Sequence, residues 1–168
     1  TADVFGPDDA FVLSRAKLDT HRPPTLHTQD FHELIWVQNG TVRLHTQNGK
    51  TELSEGDLLF VSPDQQHGLQ GRGDAPIVVS LAIRPGGINA IGNRHDDLSG
   101  VAFWPGGDAP LITHRDIRQL AALNQSAPQL ERSRRRILYL DAFLMPLLVA
   151  LDPTLEGMGD ATPDWQPA

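Results

Sequence analysis

The chain has 168 residues, 39% hydrophobic and 21% charged, with no cysteine. That composition suffices for one core and excludes global disorder, a disulfide framework and thiolate chemistry. A net charge of −7 excludes the phosphate electrostatics by which a domain grips nucleic acid.

In chain order, residues 1–10 are polar and read as an arm, and 11–18 as a short strand. Pro23 and Pro24 make the next stretch extended or turning. Residues 31–37 (FHELIWV) read as a strand, Gln38-Asn39-Gly40 as a turn, and 41–47 (TVRLHTQ) as a strand alternating at period two. Asn48-Gly49 marks a hairpin turn before a short strand at 50–53. Residues 57–61 (DLLFV) read as a buried strand ending at Ser62-Pro63. Residues 67–73, with three glycines, read as a loop or short strand, and 77–83 as a strand closed by Arg84-Pro85-Gly86-Gly87. Short strands at this spacing indicate an all-β sandwich or barrel.

Beyond residue 87 the pattern is mixed until Thr113, which reads as an N-cap with Asp116 three residues on, for a helix to about Asn124. Residues 129–151 form the clearest helical stretch. There Ile137, Leu140, Leu144, Leu147, Leu148 and Leu151 recur at three- and four-residue steps, and Pro146 is expected to kink it. The arginines at 132 and 134–136 read as a solvated face. Residues 152–168 are acidic and rich in Pro and Gly, as a linker is. No stretch approaches the length of a membrane-spanning helix, and residues 1–7 lack the basic and apolar regions of a signal peptide. The lack of cysteine accords with a cytoplasmic protein.

The chemistry concentrates in two segments: His27-Thr28-Gln29-Asp30-Phe31-His32-Glu33, and Gly56-Asp57 followed by Pro63 and His67. On a strand, His27, Gln29 and Glu33 share one face, and His67 comes from a strand end or loop able to complete the cluster. Burying such groups costs roughly 1–3 kcal/mol for each left unsatisfied, so a metal, a ligand or an internal network must compensate. His32 lies on the opposite face and reads as exposed or interfacial. Leu34 and Trp36 share that face as packing residues. Arg43 and His45 share a face of the next stretch and either line the pocket or sit in solvent.

These residues resemble the cupin family, whose motifs run G(x)5HxH(x)3–4E(x)6G and G(x)5PxG(x)2H(x)3N. The stretch from His27 to Gly40 fits HxQ(x)3E(x)6G with one substitution, Gln29 for histidine. Gly56 and His67 stand at the spacing of the second motif, with Pro63 one place late. The leading glycine is replaced by His21, the internal one by Asp64, and the final asparagine by Gly71. The resemblance implies a double-stranded β-helix (jelly-roll) barrel, with His27, Gln29, Glu33 and His67 at the metal-ligand positions. The metal would be divalent, Zn, Ni, Mn or Fe. An amide oxygen is a weaker ligand for these than imidazole, so the set admits a metal without requiring one.

Residues 23–71 are similar, more narrowly, to the sensor domain of arabinose-type (AraC family) transcription regulators. Asp30, Phe31, Glu33, Leu34, Gly40, Leu53, Gly56, Asp57, Pro63 and His67 follow that pattern. The resemblance implies a mostly β chain with C-terminal α structure: an arm at 1–10, a ligand-sensing cupin barrel at 11–112 and a helical dimerisation segment at 113–151. A linker at 152–168, including Pro163-Asp164-Trp165, would lead to a DNA-binding domain that the chain lacks.

Two functions follow. The first is small-molecule sensing, with a sugar as one effector class, by a homodimer that reaches DNA only through the separate domain. His27, Gln29, Glu33, His67, Arg43 and His45 would line the pocket, with no catalytic residue. The second is a metal-dependent cupin enzyme, a dioxygenase, isomerase or decarboxylase, in which His27, Glu33 and His67 form a two-histidine, one-carboxylate site.

Overall fold

A computed structural model describes residues 4–20, 24–105 and 107–151. The proposed linker at 152–168 therefore lies outside the described residues. Among these, six strands form one antiparallel sheet: β1 (Phe11–Lys17), β2 (His32–Thr46), β3 (Gly49–Ser54), β4 (Asp57–Val61), β5 (Gly68–Ile83) and β6 (Leu111–His114). The order is β1-β5-β2-β4-β6, with β3 hairpinned onto the second half of β2. The sheet curls into a jelly-roll barrel. Three helices follow the main strands: α1 (Pro85–Arg94), α2 (Ile117–Arg132) and α3 (Ile137–Ala150).

The expected turn at Gln38-Asn39-Gly40 is not a hairpin. The chain keeps its direction as β2, and the register against β5 slips between Val37 and Asn39 and again between Asn39 and Thr41. Gly40 has φ +85°, and a Cβ there would sit 2.8 Å from Cβ of Pro76 on β5. Hairpin turns and bulges make the same demand for a left-handed glycine, so the sequence signal was sound and its interpretation was not. Opposite it, the two stretches expected at 67–73 and 77–83 fuse into β5, with Gly73 at φ +69°.

The slip reverses which residues face inward. Ile35 and Val37 before it share an apolar cluster with Val42 and Leu44 after it, together with Leu53, Leu59, Val61 and Val78. That is the barrel interior. The other face carries Leu34, Trp36, Phe60, Val79 and Leu81, packed with residues of all three helices. Trp36 is fully buried there; its Nε1 donates to Asn124 Oδ1 of α2 at 2.9 Å, and its ring stacks on Phe143 of α3.

His32 is not exposed: it is 6% accessible, edge-on to Phe103 with centroids 5.4 Å apart. Its neighbour across the sheet is the apolar Ile83, and the segment at 101–104 covers it.

The turn expected at 84–87 is the start of α1, with Pro85 in its first turn, a position where the missing N–H costs no hydrogen bond. The next helix starts later than expected. Residues 111–114 are drawn into β6 against β4, and Asp116 is the N-cap, in a reciprocal capping box with Gln119. The long helical stretch is broken at Ser133, so α2 and α3 are separate. Of the stripe, Leu140, Leu144, Leu148 and Leu151 are buried, whereas Ile137 is 46% exposed.

The described part of the arm packs down. Phe5 meets Phe31 edge-on at 5.4 Å, and the Arg84 guanidinium lies 4.8 Å over the Phe5 ring. Arg84 donates to the carbonyls of Asp9 at 2.5 Å and Gly6 at 2.8 Å. Arg135 pairs with Asp9 at 3.0 Å, while Arg132, Arg134 and Arg136 are exposed.

Candidate functional site

His27 stands outside the regular strands. Its backbone pairs both ways with His67, each N–H donating to the other's carbonyl at 3.1 Å. This isolated bridge and the bond from Asp64 N to Gln29 O at 3.0 Å lace the approach to β2 onto the β4–β5 loop. The two imidazoles lie 4.5 Å apart. His27 is exposed and His67 is 2% accessible.

Glu33 enters from β2 on the face of Ile35 and Val37. Its Oε1 accepts from Gln29 Nε2 at 3.1 Å and lies 3.4 Å from His67 Nε2. Its Oε2 accepts from Ser80 Oγ at 2.5 Å. The structure thus brings His27, Gln29, Glu33 and His67 together and adds Ser80 of β5. Ser80 was missed by sequence reasoning, although it is the one hydroxyl in the run IVVSLAI.

The Glu33 side chain is 15% exposed. Burial opposes its charge most strongly, but hydrogen bonds from His67, Ser80 and Gln29, with the attraction of the imidazole, outweigh it. The carboxyl is held below its ordinary value. His67 Nδ1 lies 3.2 Å from the Gln65 carbonyl. The ring therefore faces two acceptors: neutral, it donates to one; with both nitrogens protonated, to both.

Arg43 and His45 are not part of this cluster. Beyond the slip in β2 they point away from Val42 and Leu44. Arg43 lies 3.7 Å from Glu52 of β3, and His45 Nε2 lies 3.1 Å from Gln70 Oε1 of β5. The physical reason is the extra residue at 38–40, which reverses the strand's two faces.

As a metal site the donors do not fit. Among the described residues no group of three or more His, Asp or Glu side chains is placed to hold an ion. Both oxygens of Glu33 are already occupied by protein donors, and His67 presents its second nitrogen to a carbonyl. The network satisfies itself, and no step is derived through a metal.

Beside the network opens a cleft of about 770 Å³, between the β2–β3 turn, the β4–β5 loop, Phe103, Pro105 and residues 107–110. Gln47, Asn48, Asp64, Gln65, Gln66 and Phe103 contribute to its wall. Gln65 is held at both ends of its amide, accepting from Ser62 N at 2.8 Å and donating to Ala109 O at 3.1 Å. Gln47 donates to Gln66 at 2.8 Å. Gln65 belongs both to this wall and, through its carbonyl, to His67. The Pro63–Gln66 run carried this signal in the sequence, four residues of loop before the motif histidine.

The profile of the family described as "AraC-like ligand binding domain" matches residues 10–148. No curated protein matches the chain in sequence. Among solved structures, an apo variant of ToxT from Vibrio cholerae strain SCE256 aligns with TM-score 0.62 and 10% identity, over 94% of this chain and 67% of that one. Wild-type ToxT of the same strain, bound to an unsaturated fatty acid, aligns with TM-score 0.58 and 14% identity, over 93% and 65%. ToxT from Vibrio cholerae O395 bound to (E)-4-(8-methylnaphthalen-1-yl)but-3-enoic acid aligns with TM-score 0.58 and 13% identity, over 94% and 68%. The chain thus spans about two thirds of the length of these proteins, and at such identities the likeness shows the fold.

Proposed function

The chain belongs to the AraC-like ligand-binding domain family, and we propose that it senses a sugar or related polyol for a transcriptional regulator, acting as a homodimer in the cytoplasm. One observation carries the reading. A buried polar network on the inner face of the barrel continues through Gln65 into a cleft walled by amides, a carboxylate and an aromatic ring. Amides and carboxylates suit hydroxyl groups, and the cleft's volume falls in the usual range for small-molecule sites.

An effector seated against Gln65 would bias the His67–Glu33 contact, and so the packing of β2 and β5, toward one arrangement. Differential affinity for two arrangements is what a sensor needs. Contact with DNA is assigned to a separate domain, since a chain of net charge −7 offers phosphate no general attraction. Among the described residues, no helix is long and apolar enough to cross a membrane.

Dimerisation is assigned to α3. Leu138 and Val149 are 69% and 55% exposed and, with Ala142, share a helix face by their spacing. The metal-dependent enzyme reading is not favoured, because both oxygens of its carboxylate are already engaged by Gln29, His67 and Ser80.

The test is a thermal-shift screen of monosaccharides and polyols, since a ligand of the native state raises its melting temperature. The reading expects at least one to stabilise the wild type and to lose its effect in Gln65→Ala. Failure of the whole set, or an undiminished effect in the variant, contradicts it.

A further inference from the structure

Beyond the slip in β2, the outer face of the sheet carries side chains whose places the register fixes. Arg43 of β2 stands between Glu52 of β3 and Gln70 of β5, and Thr41 between Ser54 and Arg72. Lys50 stands opposite His45, about 7 Å along the strands from Glu52 and Arg43. Nη2 of Arg43 and Nη2 of Arg72 converge on a single atom, Oε1 of Glu52, at 3.7 and 3.6 Å. The three side chains are 26%, 47% and 58% exposed in that order of mention, Arg43, Arg72 and Glu52, so a solute reaches them all. Two guanidiniums gathered on one oxygen form an anion site whose occupant is the chain's own carboxylate. That occupant is held loosely, since both separations exceed the length of about 2.8 Å typical of a charge-assisted hydrogen bond. One carboxylate also leaves a positive charge of the arginine pair unanswered, and Lys50 adds another, in a chain of net charge −7.

We propose that this face binds the phosphoryl group of a small molecule, which displaces Glu52 from between Arg43 and Arg72. Because both Nη2 atoms lie near the same oxygen, they are no more than about 7 Å apart, and two oxygens of one phosphoryl group, each accepting at about 2.8 Å, span that gap. A phosphoryl dianion carries nearly twice the charge of a carboxylate and three acceptor oxygens. It therefore outcompetes the tethered Glu52, where a free carboxylate does not. Glu52 is the side chain that ties β3, paired in the sheet with β2 alone, to Arg72 of β5. Its displacement frees β3 from that tie. The site shares no residue with the cleft at Gln65, so either can fail without the other.

The experiment is an NMR titration of the whole chain at fixed ionic strength with inorganic phosphate, methyl phosphate and acetate. The expected result is saturable shifts centred on residues 41–45, 50–54 and 70–72 with at least one phosphoryl compound, and none with acetate. Methyl phosphate binding as well as phosphate identifies phosphate monoesters as the ligand class; binding of inorganic phosphate alone identifies the free ion, and either result supports the proposal. Arg43→Gln and Arg72→Gln should each weaken binding by at least about tenfold, whereas Gln65→Ala should leave it unchanged. Glu52→Gln removes the internal competitor and should tighten binding by at least about threefold. Glu55→Gln, the same change of net charge on the neighbouring turn, should not. Absence of saturable phosphoryl binding, equal binding of acetate, undiminished binding in Arg43→Gln, or no gain in Glu52→Gln beyond that in Glu55→Gln overturns the proposal.

Discussion

Ser80 Oγ donates to Glu33 Oε2 at 2.5 Å across the β2–β5 ladder, two residues out of register, since Ser80 stands opposite Ile35 and Glu33 opposite Ala82. This contact, with those from Gln29 and His67, keeps a carboxylate ionised on an otherwise apolar face. Because the folded pKa of Glu33 lies below its ordinary value of 4.5, the stability it contributes is full above that value and is lost as pH falls through the folded pKa. Glu33→Gln should therefore cost about 1–3 kcal/mol at neutral pH. The difference from wild type should shrink under about pH 4, as read from urea unfolding at a series of pH values.

His32 gives this loss of stability in acid a second source. Burial pushes its pKa from 6.5 down to about 4, and its Nδ1 has no partner. Between those values the unfolded chain takes up a proton that the folded chain refuses, so stability falls as pH drops through the window and levels below it. The loss is on the order of 3 kcal/mol. His32→Phe should flatten this part of the pH profile, and an unchanged slope would place the acid sensitivity elsewhere.

Trp36 holds the barrel to the helices through apolar burial and one hydrogen bond to Asn124. Trp36→Ala should cost about 3–5 kcal/mol. Trp36→Phe should cost less but expose the orphaned Asn124 amide, seen as faster hydrogen exchange in α2 than in β5.

Leu138→Glu changes an exposed position and should leave the melting temperature within a degree or two, as surface substitutions do. In sedimentation it should convert the proposed dimer to a monomer. A wild-type chain that is monomeric at micromolar concentration would remove α3 from that role.

The strands were legible because period-two alternation reports directly on pleat and Asn48-Gly49 on a reversal, although the same dipeptide at 39–40 marks a bulge. The four residues of the cluster were legible for a different reason: a fixed motif spacing survives even where the geometry behind it is misjudged. His27 and Gln29 meet Glu33 not as members of one strand but through an isolated bridge and a loop. What failed was parity. One extra residue near Gly40 reversed the faces of β2, so Arg43 and His45 could not be placed by counting from Glu33. Helix α1 was hidden because Pro85, Gly86 and Gly87 carry turn chemistry. Close packing explains two of its glycines: a Cβ on Gly92 would run into the Trp104 ring, and one on Gly87 would come within 3.1 Å of Ile137 Cδ1.

The most direct measurement is hydrogen–deuterium exchange with and without whichever sugar or polyol stabilises the chain most. Slowed exchange at residues 62–67 and 103–110, reaching 27–33, is what an effector bound against Gln65 must produce. Protection that bypasses these segments, with Glu33 and His67 exchanging as in the free chain, would contradict the coupling of cleft to network on which the account stands.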